Sequence, residues 1–328
     1  MTKNGSMDYQ YIIEGNELAQ EVVYEKVAKD FKGEWDGEHL RVENSWADID
    51  IHSFTFLDEM YISISTLHFQ KPVLFKSSRS EDEQPYFALK IGFTGSFLGD
   101  EQKHDFNNLG VFFYNSKQNF EVEYPVDTKC QWLSIVFSLE VYEKFMGKQN
   151  SQITQLIHEE SSWFKYFPLD VEIENLVKAL FFNLDKKRRR PIQFFTKPLE
   201  IIGLVREKME KEASGFKRNI HEDDLKIMMQ LKEQYLSDFT QQPNLSDLSF
   251  KYGMSISKLN RVFKSIFDKP ILQFYNQQKI EEAYRQINRT NKSITAISMD
   301  LNFTNVGYMS KMFKDAYGFP PSELRNKE

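Results

Sequence analysis

The sequence predicts an α+β protein built in parts: an N-terminal antiparallel β-sandwich or small barrel, a helical connector, and an all-α C-terminal domain of two helix-turn-helix units joined by one long helix. Three observations carry this. Between residues 50 and 138 apolar residues recur with period two, as in Phe87, Leu89, Ile91 and Phe93 or Leu133, Ile135 and Phe137, the spacing of a strand with one buried face. From about Leu139 the apolar spacing changes to three and four residues, the spacing of amphipathic helices. Near the end the chain writes one phrase twice, SKLNRVFKSIFDKP from Ser257 and GYMSKMFKDAYGFP from Gly307.

In chain order, residues 1–15 read as a loose leader without the apolar core of a signal peptide. Residues 16–140 form the β-rich part, its strands separated by turn-forming clusters at 76–85, 99–105 and 114–119. Such one-sided strands bury their apolar faces by packing as a sandwich or closing as a barrel. Residues 141–218 read as a helical connector, with Val141, Phe145, Ile153, Ile157, Val171, Ile173, Leu176 and Leu180 followed by a stripe of Leu199, Ile202, Val205 and Met209 suited to a dimer. Within it the run KKRRR at 186–190 reads as a solvated helix end, since cations suit a helix C-terminus and Pro191 follows. The polar stretch 211–219 is the expected linker, and the last domain covers 219–328.

Charge divides the chain in the same way. The net charge is −6, yet from residue 251 onward 13 Lys or Arg face 7 Asp or Glu. An acidic body with a basic end points to an anionic partner touched by that end. A single cysteine, Cys130, excludes a disulfide framework and a multi-cysteine zinc site. No Gly-rich phosphate loop, nucleophile elbow or triad spacing is present, so the chain reads as no enzyme. With no apolar stretch of membrane-spanning length, it is expected in the cytoplasm.

The repeated unit is legible in detail. LSDLS, Leu245 to Ser249, matches ITAIS, Ile294 to Ser298, at an offset of 49, whereas the later phrases match at 50, so the turns differ by one residue. Gly253 in the first turn and Asn302 in the second are the residue types that best tolerate positive φ. Helical phase turns Leu259, Val262, Phe263 and Ile266 inward and Ser257, Asn260, Arg261 and Lys264 outward; in the second copy Met309, Met312, Phe313 and Ala316 turn inward and Gly307, Ser310, Lys311 and Lys314 outward. Arg can pair with two acceptors on guanine and Asn with adenine, while Lys or Ser can read an edge or hold a phosphate. Between the copies, Ile271 to Ile287 reads as the long helix, with Leu272, Tyr275, Ile280, Ala283 and Ile287 as its buried stripe.

On these residues the segment 219–328 resembles the DNA-binding domain of the AraC/XylS family of bacterial transcription regulators, most specifically through Ile294, Ile297, Phe303, Phe313, Lys314, Gly318, Pro320, Pro321 and Arg325. It departs from the family pattern at Ser298, Asn302, Lys279 and Gly307. The resemblance implies double-stranded DNA as partner, entered at two consecutive major grooves, with Ser257, Asn260 and Arg261 from one helix and Asn305, Tyr308, Ser310 and Lys311 from the other at the bases, and Lys264 and Lys314 at phosphates. It also implies a sensory and dimerising front end, often a cupin-like barrel, a small organic effector, a homodimer, and RNA polymerase as partner of an activator. Trp46, Phe87 and Trp132 are the candidate effector-pocket residues. In cupin enzymes a paired histidine and a carboxylate hold a metal; here His39, His52, His68, His104 and His158 are scattered without an H-x-H pair, so neither metal nor other cofactor is expected. The alternative is a DNA-binding or architectural protein that answers to no ligand.

Overall fold

A computed structural model describes residues 11–15, 17–56, 59–77, 86–94, 110–118, 121–124, 126–146, 161–186, 190–211, 221–236 and 238–325. The chain divides into two compact units, Met1–Lys226 and Ile227–Glu328.

The first unit is an antiparallel sandwich with helices. Its strands and first helix are β1 (Tyr11–Gly15), α1 (Gln20–Asp30), β2 (Glu34–Trp35), β3 (His39–Glu43), β4 (Ala47–Phe56), β5 (Met60–Phe69), β6 (Val73–Ser77), β7 (Tyr86–Thr94), β8 (Val111–Asn115), β9 (Glu121–Tyr124), β10 (Lys129–Ser138) and β11 (Phe164–Phe167). The larger sheet runs β11-β8-β7-β10-β5-β4-β3-β2, and a smaller one runs β1-β6-β9 with β1 parallel to β6. Three further helices follow: α2 (Leu139–Met146), α3 (Val171–Phe182) and α4 (Arg190–Lys211). The N-cap Asp170 accepts from Ile173 N at 2.9 Å and so satisfies a donor that opens α3.

The period-two reading finds one face of the larger sheet. Ile62 and Ile64 of β5, Phe87, Leu89 and Ile91 of β7, and Leu133, Ile135 and Phe137 of β10 form one core with α3 and α4. The other face is covered too, which is why β8 and β10 are buried almost throughout.

Several expectations are corrected here. Residues 11–15 are no leader, because β1 pairs residue by residue with β6, Tyr11 opposite Val73 to Gly15 opposite Ser77. Strands begin well before residue 50, and α1 lies among them. Helical spacing does not persist beyond Leu139: FKYF at 164–167 is a fully buried strand whose short apolar run carries no readable period. The stripe chosen for a dimer is occupied, with Ile202, Val205 and Met209 in the core under the sheet and Leu199 packed against it. Phe145, by contrast, is 40% exposed. Arg190 opens α4 instead of closing a helix, with Pro191 in its first turn, where a missing N–H leaves no bond unmade. Ile153, Ile157, residues 187–189, the turn clusters at 78–85 and 99–105 and most of the expected linker lie outside the described residues.

The second unit is all-helical: α5 (Glu222–Tyr235), within which the division between units falls, then α6 (Leu245–Tyr252), α7 (Ile256–Phe267), α8 (Ile271–Arg289), α9 (Ile294–Asp300), α10 (Val306–Tyr317) and α11 (Pro321–Arg325). The 19 residues of α8 span roughly 28 Å at 1.5 Å per residue. Each end of α8 gives an aromatic ring to one helix-turn-helix. Phe274 meets Phe263 and Phe267 at 5.4 and 5.2 Å between centroids, and Tyr284 meets Phe313 and Tyr317 at 5.9 and 4.6 Å. Tyr275, Ile280, Ala283 and Ile287 are buried as the stripe predicts, while Leu272 is half-buried.

Candidate nucleic-acid interface and interior cavity

Each helix-turn-helix closes with the same bond at the same offset. Met254 N donates to Ser249 O at 3.2 Å in the first, and Phe303 N to Ser298 O at 2.9 Å in the second. Gly253 and Asn302 both take positive φ, 61° and 51°, as their residue types suggest. The extra residue of the second turn is therefore Thr304, inserted between the buried Phe303 and the N-cap Asn305. Ser255 caps α7 by accepting from Lys258 N at 3.3 Å, and Asn305 caps α10 by accepting from Tyr308 N at 2.8 Å.

Asn302 does more than tolerate its backbone. Its Nδ2 donates to Thr240 O at 2.8 Å, and its own carbonyl accepts from Lys279 Nζ at 2.8 Å. Lys279 is buried, lies 4.4 Å from the centroid of the Phe303 ring, and is pushed below the usual lysine range by desolvation. The second turn is thereby tied to α8 and to the segment before α6. Asn302→Ala combines a lost bond with a strained left-handed residue and is expected to destabilise by about 1–3 kcal/mol; Asn302→Gly loses only the bond and stays within about 1 kcal/mol. Urea denaturation followed by circular dichroism should rank them in that order.

The phase reading of α7 holds: Ser257, Arg261 and Lys264 are exposed and Leu259, Val262, Phe263 and Ile266 are buried. Asn260 differs from its sister residues. It is half-buried, and its Oδ1 accepts from Ile271 N at 3.1 Å, so it holds the first turn of α8. On α10, Lys311, Lys314 and Gly307 are exposed, Tyr308 is 46% exposed, and Ser310 is half-buried. Ala316 is exposed, contrary to its expected inward place, because Tyr317 and Phe319 complete the ring cluster around Phe313. Gly307 is the second residue of α10, not an interior one, so the full interior penalty of glycine does not apply. Asn305 has its side-chain oxygen engaged as the cap. Sequence reasoning missed Lys258, exposed three residues before Arg261 in the same outward phase. The exposed face of α7 thus carries Lys258, Arg261 and Lys264 with no acidic residue in the helix, whereas α10 sets Asp315 beside Lys314.

The first unit holds an interior cavity of about 100 Å³ between α1, the smaller sheet and the larger one, lined by Val23, Ile49, Ser63, Phe75, Lys90 and Trp132 among others. Trp132 lies over Gly92, its register partner on β7, where a Cβ would come within 2.4 Å of the ring. Glu17, 3% exposed, also lines it: Tyr114 donates to Oε1 at 2.7 Å, Lys90 pairs with the same oxygen, and Oε2 has no hydrogen-bond partner among the described residues. Of the three pocket candidates only Trp132 belongs here. Phe87 points from the opposite face of β7 into the helical core, since side chains alternate along a strand. Trp46 lines a separate open cleft of about 370 Å³ with Tyr11, Asp30 and Phe31.

Comparison with known proteins adds the following. Residues 248–327 match the family model of a helix-turn-helix domain. The HTH-type transcriptional activator RhaS of Mannheimia succiniciproducens is 22% identical over 243 residues, 69% of this chain and 88% of the relative. The activator RhaR of the same organism is 18% identical over 283 residues, 84% of this chain and 95% of the relative. Among solved structures, ToxT from Vibrio cholerae is similar over 81% of this chain and 98% of its own, with 14% identity and a TM-score of 0.28. The DNA-binding domain of AdpA in complex with a target DNA is similar over 32% of this chain and 90% of its own, with 18% identity and a TM-score of 0.28.

Proposed function

We propose that this chain, whose C-terminal part is an AraC/XylS-type double helix-turn-helix domain, is a sequence-specific DNA-binding transcription regulator that places α7 and α10 in consecutive major grooves. The observation that carries this is the repeated turn: one hydrogen bond, one positive-φ residue and one capped helix recur in both units and leave cations on both outer faces. Arg261 reads a base edge, with Ser257, Tyr308, Ser310 and Lys311 as further base contacts, while Lys258, Lys264 and Lys314 hold phosphates. Asn260 and Asn305 act chiefly by fixing the helices, since their side-chain oxygens are engaged. The relatives RhaS and RhaR are activators by name, which supports the same sense here, with RNA polymerase as the partner.

The fragment 221–328 is expected to fold alone and bind promoter duplex with an affinity that falls steeply with salt, because cations displaced from DNA drive association. A fragment that is helical by circular dichroism yet shows no salt-sensitive shift of such DNA sinks the reading.

A small effector in the first unit is part of the proposal, supported by the cavity beside Glu17. A cavity of about 150 Å³ accommodates benzene, so without movement of its walls this one takes a compact molecule of a few heavy atoms. Because Lys90 offsets the charge of Glu17, a neutral molecule with a hydroxyl or N–H donor for Glu17 Oε2 suits it best. Ser63→Leu, which fills the cavity, should abolish any small-molecule response of the regulated promoter while operator binding persists. A response that survives this filling assigns sensing elsewhere.

A further inference from the structure

Histidines scattered in the sequence meet in the sheet. His39 on β3 and His52 on β4 are register partners, and their rings stack with centroids 4.2 Å apart and planes within 5°. Asp50, two residues before His52 and therefore on the same face of β4, sits beside both. Its Oδ1 lies 3.1 Å from His39 Nε2 and 3.2 Å from His52 Nε2, and one ligand atom from each of the three residues lies within 4.8 Å of the others. We propose that His39, Asp50 and His52 form a binding site for a transition-metal dication of the zinc, nickel or copper class.

The geometry suits such an ion. Tetrahedral zinc with bonds of about 2.0–2.1 Å separates neighbouring ligand atoms by about 3.3 Å, close to the two distances observed. Imidazole nitrogens with one carboxylate oxygen select these metals over magnesium or calcium, which take oxygen ligands. The three side chains are half-buried, so the sheet fixes them while a further coordination position stays open to solvent. Arg41, opposite Asp50 on β3, is the nearby cation, and its guanidinium is engaged by Asp48 and Glu43. The site is not the interior of the sandwich. Ile49 and Ile51 line the cavity, and Asp50 and His52 alternate with them onto the opposite face. Bound there, the ion would cross-link β3 to β4.

In the free protein the carboxylate of Asp50 is stabilised below the usual range, first by its hydrogen bond to His52. A bound metal replaces that bond and takes a lone pair from each Nε2. The test uses the tag-free full chain titrated with Zn²⁺ in a calorimeter and with Co²⁺ in a spectrophotometer. Expected are one ion per chain, visible Co²⁺ d–d bands, and an affinity at least about tenfold lower in His39→Asn and in His52→Asn. As a check that needs no substitution, Zn²⁺ should protect His39 and His52 of the wild-type chain from diethyl pyrocarbonate, read by peptide mass spectrometry. Uptake equal in the double variant His39→Asn/His52→Asn, protection of other histidines instead, or no uptake at all overturns the proposal.

Discussion

Replacing Phe313 by Ala is expected to melt the second helix-turn-helix while the first unit of the chain stays folded. Phe313 is fully buried, and its ring meets Tyr284, Tyr317 and Phe319 at centroid distances of 5.9, 4.8 and 6.0 Å. Truncating a buried Phe costs about 3–5 kcal/mol, through lost transfer energy and the cavity left behind. A small domain is stable by only about 5–15 kcal/mol, so the loss removes a large share. The four tryptophans, Trp35, Trp46, Trp132 and Trp163, all precede residue 227. Their fluorescence therefore reports the first unit alone, while circular dichroism at 222 nm includes the helices of both. In urea, Phe313→Ala should move the helical transition to lower denaturant and leave the tryptophan transition in place. If both probes shift together, the two units do not unfold independently and the assignment of this core to the second unit alone fails.

Arg261 and Lys264 project from one face of α7 and are expected to differ in kind when lost. Both are exposed, and α7 carries no acid to oppose them. Arg261 lies in the second turn of the helix, where its fork can pair with O6 and N7 of guanine. Arg261→Ala should cost about 1–3 kcal/mol of operator affinity and relax preference at one base pair. Lys264 follows one turn later, which in the proposed docking is nearer the sugar-phosphate chain. Lys264→Ala should weaken binding to all sequences alike and lower the slope of log affinity against log salt by about one unit. Affinities of both variants for the operator and its single-base changes, at several salt concentrations, distinguish the two. Uniform loss on every sequence for Arg261→Ala would mean that it grips phosphate, and the reading face of α7 would have to be rotated.

The second unit was almost wholly legible because its determinants are local. A helix advertises its buried face every three or four residues, and a left-handed turn position selects Gly or Asn, so the repeat fixed both units and the sites of Gly253 and Asn302. Where a distant group intervened, local phase misled. Asn260 looks outward by period, but α8 begins eleven residues later beside it and takes its oxygen. The first unit was legible as strands on one face only. Its second buried face comes from β1, β6 and β9, whose pairing joins segments about 50–60 residues apart, and no local spacing shows which segments pair.

The sequence by itself determined the repeated helix-turn-helix, its outward cations and the charge division between an acidic body and a basic end, since helical phase, turn conformation and net charge depend on residues close in the chain or on composition. Tertiary structure alone decided that Leu199 to Met209 serve the core, that Glu17 and Lys90 meet at a cavity, and that His39 and His52 stack beside Asp50, because strand register and layer packing choose which residues far apart in the chain become neighbours.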